Sequence, residues 1–285
     1  MKFPSMVGAL VAVALSSIGV APAGTPPASA APDTGAATAL APPDVPAQAW
    51  LVADLGSGQI LGSRELYSAH APASTIKALL AMVVLDHLRP ESAIRASETS
   101  TQVECSCVGL IPGQVYTARQ LLDGLLLVSG NDAANLLADM LGGYQAAVAK
   151  MNAKAFAIGA RSTKAGSPSG LDGPGWESVT SPYDLALIYR AALNYPLFVQ
   201  IIHQQSAMFP SGNNQFKTIT NQDKLLRQYP GFIGGKSGYT DLARDTYVGI
   251  AQRDGRRLIA VEMYGDGDLR GEAAKLLDWG FSKYG

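Results

Sequence analysis

Two apolar hairpin patterns stand at opposite ends of the folded part of the chain, and no other feature limits the fold as strongly. The first runs Trp50-Leu51-Val52-Ala53-Asp54-Leu55, a turn at Gly56-Ser57-Gly58, then Gln59-Ile60-Leu61. The second runs from Thr246 to Ala251, turns at Asp254-Gly255 and continues from Leu258 to Met263. Asp-Gly between two apolar runs is a strong hairpin signal, because both turn positions need a left-handed backbone. Phe232-Ile233 leading into Lys236 adds another strand. Between these ends the periodicity becomes helical. Helices are expected from Ser74 through Leu85, over Thr117 to Val128, Ala133 to Leu141 and Gln145 to Ile158, and after Ser181, with Ser181 as cap and Pro182 in the first turn. A last helix from Glu272 to Phe281 carries Ala273, Leu276, Leu277 and Phe281 on one face. Strands from both ends and helices from the middle imply a mixed α/β domain. Its antiparallel sheet is built from the two chain ends and covered by helices, with a helical lobe inserted between, and no repeat of fixed period interrupts this plan.

At 285 residues, 47% apolar and 16% charged, the chain has enough apolar material for a large core. Its formal net charge of -1, with Lys and Arg scattered, argues against a nucleic-acid footprint and against a polybasic membrane patch. The first residues have the form of an export signal. Lys2 supplies the positive start, Val7 to Val20 an apolar stretch too short to span a bilayer comfortably, and Ala28-Ser29-Ala30 a small-x-small cleavage site, with Ala21-Pro22-Ala23 as a second candidate. No cysteine lies near either site, which argues against a lipoprotein anchor. Residues 1–30 are therefore expected to be a signal peptide, 31–47 an Ala/Pro-rich flexible tether, and 48–285 the folded domain.

Export would carry Cys105 and Cys107 into an oxidising or mixed compartment. With one serine between them, a bond would close a very small ring, so reduced thiols and a labile bond both remain open. Glu104 is the only other candidate ligand in that segment, which does not complete a metal site.

Three short motifs carry the chemistry. Ser74-Thr75-Ile76-Lys77 opens an apolar helix and puts a hydroxyl and an ammonium on one face, where a lysine is costly. Alone, it reads better as a capping serine with a lysine reaching to solvent. Ser129-Gly130-Asn131 falls on a tight bend between two buried helices, and Lys236-Ser237-Gly238 follows a strand and two glycines. Ser211-Gly212-Asn213 also fits Ser-x-Asn, but its polar neighbours Pro210, Asn214 and Gln215 mark an exposed hairpin tip.

In this order and these settings, Ser-x-x-Lys, Ser-x-Asn and Lys-Ser-Gly resemble the motifs of the penicillin-recognising serine acyltransferases, specifically the low-molecular-weight D-alanyl-D-alanine carboxypeptidases. The stretches "PASTIKALLA", "LLDGLLLVSGNDAANLLA" and "GKSGYTDLARDTYVGIAQRDGRRLIAVEM" look like that family, in particular its short, single-domain, exported actinobacterial members. The resemblance spans about Gln48 to Gly285 and implies a β-lactamase/transpeptidase-like fold. Two departures stand out. The C-terminal β-rich domain and amphipathic helix of many relatives are absent, so no C-terminal membrane anchor is expected. Ser237 replaces a threonine, and Arg244 stands where relatives often have glycine.

The resemblance also implies roles. Ser74 is the nucleophile, Lys77 its base and Ser129 a proton relay. Asn131, Lys236, Ser237, Gly238, Tyr239 and Thr240 bind substrate, and the backbone N–H groups of Ser74 and Tyr239 hold the oxyanion. The expected reaction removes the terminal D-alanine from peptidoglycan stem pentapeptides, with no metal and no cofactor, and β-lactams acylate the same serine. The protein is expected to be an exported monomer, either in the periplasm or cell wall or secreted. His70, near Ser74, is a weaker candidate base than Lys77. A β-lactamase would need a Glu-x-x-Leu-Asn pattern after Asn131, whereas Glu177 is followed by Ser178-Val179-Thr180-Ser181 and the segment reads Pro168-Ser169-Gly170-Leu171-Asp172. An endopeptidase or transpeptidase would use the same residues, and a silent wall-binding protein would have been free to lose them.

Overall fold

The computed structural model describes residues 41–283; the signal pattern and most of the tether lie outside them. The chain opens with β1 (Ala49–Asp54) and β2 (Ile60–Arg64), then a 3-10 turn (Ala73–Ile76) running directly into α1 (Lys77–His87). The helical lobe follows: β3 (Ala93–Arg95), α2 (Glu98–Thr101), β4 (Val115–Thr117), α3 (Ala118–Leu127), α4 (Asn131–Met140) and α5 (Tyr144–Ala157). After a long loop come α6 (Pro182–Ala192), α7 (Pro196–His203), β5 (Ser206–Gly212), β6 (Gln215–Thr220) and α8 (Leu225–Gln228). The chain returns to the sheet through β7 (Phe232–Thr240), β8 (Arg244–Arg253) and β9 (Arg256–Gly265), and α9 (Leu269–Ser282) is laid across it.

The main sheet has the order β2-β1-β9-β8-β7, all antiparallel, so the two chain ends meet at the β1–β9 pair. Strand periodicity sends alternate residues to opposite faces. Leu51, Val248, Ile250, Ile259 and Val261 join α1, α3, α4 and α6 in the larger core. Trp50, Val52, Tyr247, Leu258 and Ala260 pack against Leu276, Leu277 and Trp279 of α9 in the second. Val45 and Ala47, placed in the tether by the sequence, are buried in that second core, so the domain begins ahead of Gln48. Both are small or β-branched apolar residues in a Pro-rich run, where composition hid their burial.

Local signals explain the element ends. Asp254 and Gly255 both take positive φ, as the β8–β9 hairpin demands, and Asn213 and Asn214 do the same at the exposed β5–β6 tip. Thr117 and Gln120 form a capping box on α3, and Ser181 caps α6 through the Asp184 N–H. From Lys77 to Val84 every residue of α1 is buried, as expected of a helix apolar all round at the centre of a domain. Among the described residues no single helix is long and apolar enough to cross a membrane.

Glu262 on β9 stands opposite Trp50 on one side and Tyr247 on the other, with no exposed surface. Among the described residues, neither of its carboxyl oxygens has a hydrogen-bond partner. Burial holds its pKa well above the usual carboxylate value; the Glu272 charge adds to this and Lys275 opposes it. The folded chain thus keeps a proton that the unfolded chain releases near the ordinary glutamate pKa, and stability must fall as pH rises above that value. Glu262→Gln removes this penalty. By thermal unfolding, the variant should match the parent near pH 4 and melt at least about 3 °C higher at pH 8; equal melting temperatures at pH 8 would contradict a protonated Glu262.

Candidate active site

Ser74 lies in the 3-10 turn rather than in the α-helix itself, which begins at Lys77. A 3-10 turn eclipses residues three apart, so the two side chains face each other more directly than an α-turn would allow. The turn is held from several sides. Thr75 Oγ1 donates to Pro72 O at 2.6 Å, Thr246 Oγ1 from β8 donates to the same oxygen at 3.0 Å, and Tyr189 OH from α6 donates to Thr75 O at 2.9 Å. Ala73, just before Ser74, has φ +46°, a strained conformation for alanine. Gly170 presses on it so closely that a Cβ there would sit 1.9 Å from Ala73 O.

Lys77 has no exposed surface. Its Nζ lies 2.6 Å from Ser74 Oγ, 2.8 Å from Asn131 Oδ1 and 2.8 Å from Ser169 O. The last two can only accept. A neutral amine spends its two N–H bonds on them and is left with one lone pair, directed at the Ser74 hydroxyl. Burial pushes the Lys77 ammonium well below the ordinary lysine range, the Lys236 charge adds to this, and Asp132 opposes it.

Ser129 and Asn131 come from the bend between α3 and α4. Ser129 sits at φ +63°, unusual for serine, and its buried hydroxyl accepts from Lys236 Nζ at 2.9 Å. Asn131 is fixed from the loop before α3. Its backbone N–H donates to Ser106 O at 2.6 Å and its Nδ2 to Glu104 O at 2.7 Å. These carbonyls flank a Cys105–Cys107 disulfide, which settles the choice between thiols and a bond in favour of the bond.

The third wall is β7, an edge strand. Gly238 is needed there because a Cβ would lie 2.6 Å from Ser74 N and 2.7 Å from Thr246 Oγ1. Lys236 is buried, and its Nζ also donates to Ser237 O at 2.7 Å. Burial first, and then the nearby Arg270 charge, lower its pKa to about 7, against the pull of Asp223. Arg270, in the first turn of α9, donates from Nη2 to Ser237 Oγ at 2.9 Å. Two cationic side chains, Lys236 and Arg270, and two hydroxyls, Ser129 and Ser237, thus converge on one strand edge.

Other candidates stand further out. Tyr239 is 55% exposed, with its hydroxyl on Asp241 Oδ1 at 3.2 Å. Thr240 Oγ1 donates to Asp172 Oδ2 at 2.7 Å and accepts from Ala243 N at 3.0 Å, so this hydroxyl ties the β7–β8 turn to the loop carrying Ser169. Arg244 has φ +55°, which explains why a glycine would suit the position, and its guanidinium is turned to Asp266 at 2.6 Å. His70 pairs through its backbone with Thr180 and lays its ring 5.4 Å from Tyr264. Glu177 is exposed and accepts from Gly175 N. Among the described residues no group of three His, Cys, Asp or Glu side chains could hold a metal ion.

Several contributors escaped the sequence reading. Ser169 acts through its carbonyl, which no side-chain pattern reports. Arg270 lies just ahead of the expected helix start at Glu272; the capping Asp268, whose side chain accepts from Arg270 N, was the available sign of an earlier start. Asp223 accepts from Tyr247 OH at 2.7 Å and lies 3.9 Å from Arg270.

Comparison with known proteins agrees with this geometry. A family model described as D-alanyl-D-alanine carboxypeptidase matches residues 36–267. The chain is 58% identical over 245 residues to the D-alanyl-D-alanine carboxypeptidase DacB2 of Mycobacterium tuberculosis, covering 84% of each chain. A crystal structure of a D-alanyl-D-alanine carboxypeptidase from Mycobacterium tuberculosis superposes with TM-score 0.84 at 57% identity, over 86% of this chain and 95% of that one. The DD-transpeptidase of a Streptomyces strain superposes with TM-score 0.80 at 27% identity, over 85% of this chain and all of that one (100%). With the serine–lysine pair, the strained bend and the edge strand brought to one place, and with these likenesses, the chain belongs to the D-alanyl-D-alanine carboxypeptidase family of serine peptidases.

Proposed function

We propose that the protein removes the terminal D-alanine from peptidoglycan stem pentapeptides through an acyl-enzyme on Ser74. The observation that carries this reading is the Lys77 amine, whose two protein acceptors leave only a lone pair for the Ser74 hydroxyl. As Ser74 Oγ attacks the penultimate carbonyl, its proton passes to Lys77 Nζ. The oxyanion is met by the Ser74 N–H and the Tyr239 N–H, which Gly238 allows to approach each other. Ser129, hydrogen-bonded to Lys236, relays that proton to the leaving amine, giving up its own hydroxyl proton and taking the Lys77 proton in its place, which leaves Lys77 neutral again. Lys236, Ser237 and Arg270 receive the free carboxylate, and Asn131 orients the peptide with its remaining N–H. Water then releases the shortened peptide.

β-Lactams would enter the same chemistry and stay as acyl adducts. The reaction places the enzyme outside the cytoplasm, at the wall, which agrees with the signal pattern of residues 1–30 and with the disulfide. We take it to act as a monomer, without metal or cofactor. Transfer of the acyl group to a peptide amine is the second reading, favoured by the likeness to a DD-transpeptidase.

Following free D-alanine from diacetyl-Lys-D-Ala-D-Ala tests the proposal. Release should fall at least about 10⁴-fold in Ser74→Ala, and intact-mass analysis should find penicillin on the parent and not on the variant. A parent that takes penicillin yet leaves the peptide uncut would favour transfer.

The electrostatics set a pH profile. On the acid side, kcat/KM rises as free Lys77 loses its proton. It falls as pH passes about 7, where Lys236 loses the charge that attracts the substrate carboxylate. Removing the Arg270 cation lets Lys236 hold its proton to higher pH. Arg270→Ala should therefore shift the falling limb to higher pH while lowering kcat/KM roughly ten- to a hundred-fold, the worth of one charge-assisted hydrogen bond. A falling limb that stays in place would remove Lys236 as its source.

A further inference from the structure

We propose that the Cys105–Cys107 disulfide is a positioning element for Asn131, and that a dithiol which opens it slows acylation of Ser74. The proposal rests on the catalytic reading above, in which Asn131 holds both Lys77 and the substrate amide.

The argument starts from how the loop 104–110 is anchored. Its far side is fixed firmly: the Asp132 carboxylate accepts from Val108 N, Gly109 N and Leu110 N at 2.8–2.9 Å, and Lys217 Nζ donates to Val108 O at 2.7 Å. Ser106 in the middle donates to Val128 O at 3.2 Å. The near side is held only locally: Gln102 N donates to Glu98 O at 3.1 Å and Val103 N to Thr101 O at 3.2 Å, both at the end of α2, which stops at Thr101. Yet Glu104 O, on this near side, is the acceptor that orients Asn131 Nδ2, and Ser106 O holds the Asn131 backbone N–H. The bond from Cys105 to Cys107 ties the near side to the residue adjoining the fixed Val108.

The consequence reaches the nucleophile in two steps. Asn131 Nδ2 on Glu104 O settles which way the amide faces, and so directs Oδ1 at Lys77 Nζ. If the near side swings, the amide is free to rotate, and Lys77 loses one of the two acceptors that keep its lone pair on Ser74. The bond is also within reach of a reductant, since Cys105 is exposed and Cys107 half-buried. Opening it takes two electrons and two protons: the two S–H groups of the dithiol become a disulfide, and Cys105 and Cys107 each gain one hydrogen. Asn131 and Lys77 are untouched covalently, so re-oxidation restores the clamp.

The test compares oxidised protein, protein held in excess dithiothreitol with its thiols counted, and the double variant Cys105→Ser with Cys107→Ser. Each is assayed for its acylation rate by a fluorescent penicillin and for kcat and KM on diacetyl-Lys-D-Ala-D-Ala. Reduction should slow acylation and lower kcat about tenfold, with far-UV circular dichroism unchanged. The double variant should show the reduced rate and ignore dithiothreitol, so the test holds even where the bond resists the reagent. A general loosening of the fold is separated by Asn131→Ala: in that background, reduction should change the acylation rate less than twofold. Equal rates for the oxidised protein and the double-serine variant would overturn the clamp, as would a second tenfold loss on reducing Asn131→Ala. An oxidised parent that neither releases D-alanine nor takes penicillin would instead overturn the catalytic reading on which the clamp depends.

Discussion

A lysine with no access to water must find partners that do not need its charge. Lys77 meets this constraint with one carbonyl, one amide oxygen and one hydroxyl, each from a different part of the chain. Moving any of the three would leave a buried amine with an unmet hydrogen-bonding group, which is costly in a dry interior. The lysine therefore fixes the relative places of the 3-10 turn, the α3–α4 bend and the 167–172 loop. Its partners are held in turn. Asp172 is tied to Thr240 on β7, Asn131 to Glu104, and the turn to Thr246 on β8. The sheet made from both chain ends is the frame on which these three irregular segments are hung.

Backbone strain gathers at the same place. Ala73 and Ser129 both adopt left-handed φ, and each sits beside or at a residue assigned to the chemistry. Such conformations persist only where the surroundings over-determine them. Here Gly170 and Gly238 let neighbouring backbone press against the turn carrying Ser74, and Gly130 N is bound to Gly124 O behind Ser129. The result is a serine whose N–H and hydroxyl are both held in place before substrate arrives, so little reorganisation remains for the reaction itself.

The larger plan could be read from sequence because it follows from periodicity. The hairpin at Asp254-Gly255, the cap at Ser181 and the helices of the lobe depend on residues close in the chain, and they fall within a few positions of where the patterns put them. The three short motifs also named side chains that meet in space. What escaped depends on distant or backbone groups. Ser169 contributes a carbonyl, Arg270 reaches Ser237 across thirty-three residues of chain, and the φ of Ala73 is imposed by a loop almost a hundred residues later. Burial of Val45 and Ala47 escaped because an Ala/Pro-rich run carries too little apolar contrast to mark its last residues as core. The two cysteines were ambiguous for a different reason: spacing limits whether a bond closes, while only the hydrogen bonds of Glu104 and Ser106 show what it holds.

The charges around β7 bear on substrate choice. Lys236, Arg270 and Asp223 lie close together, and Tyr247 OH caps Asp223 from the far side. With all three ionised, this cluster carries an excess of one positive charge; Lys236 gives up its proton near pH 7 first because burial strips its ammonium of water, and then because Arg270 stands beside it. A single carboxylate brought against Ser237 makes the cluster neutral and restores the proton to Lys236. A peptide that continues past the site brings no charge there and must displace hydrogen bonds without easing the repulsion. In the proposed reaction, a buried Lys236 and a half-buried Arg270 on either side of Ser237 would thus turn their mutual repulsion into selectivity for a chain end, which is what an enzyme removing one terminal residue requires.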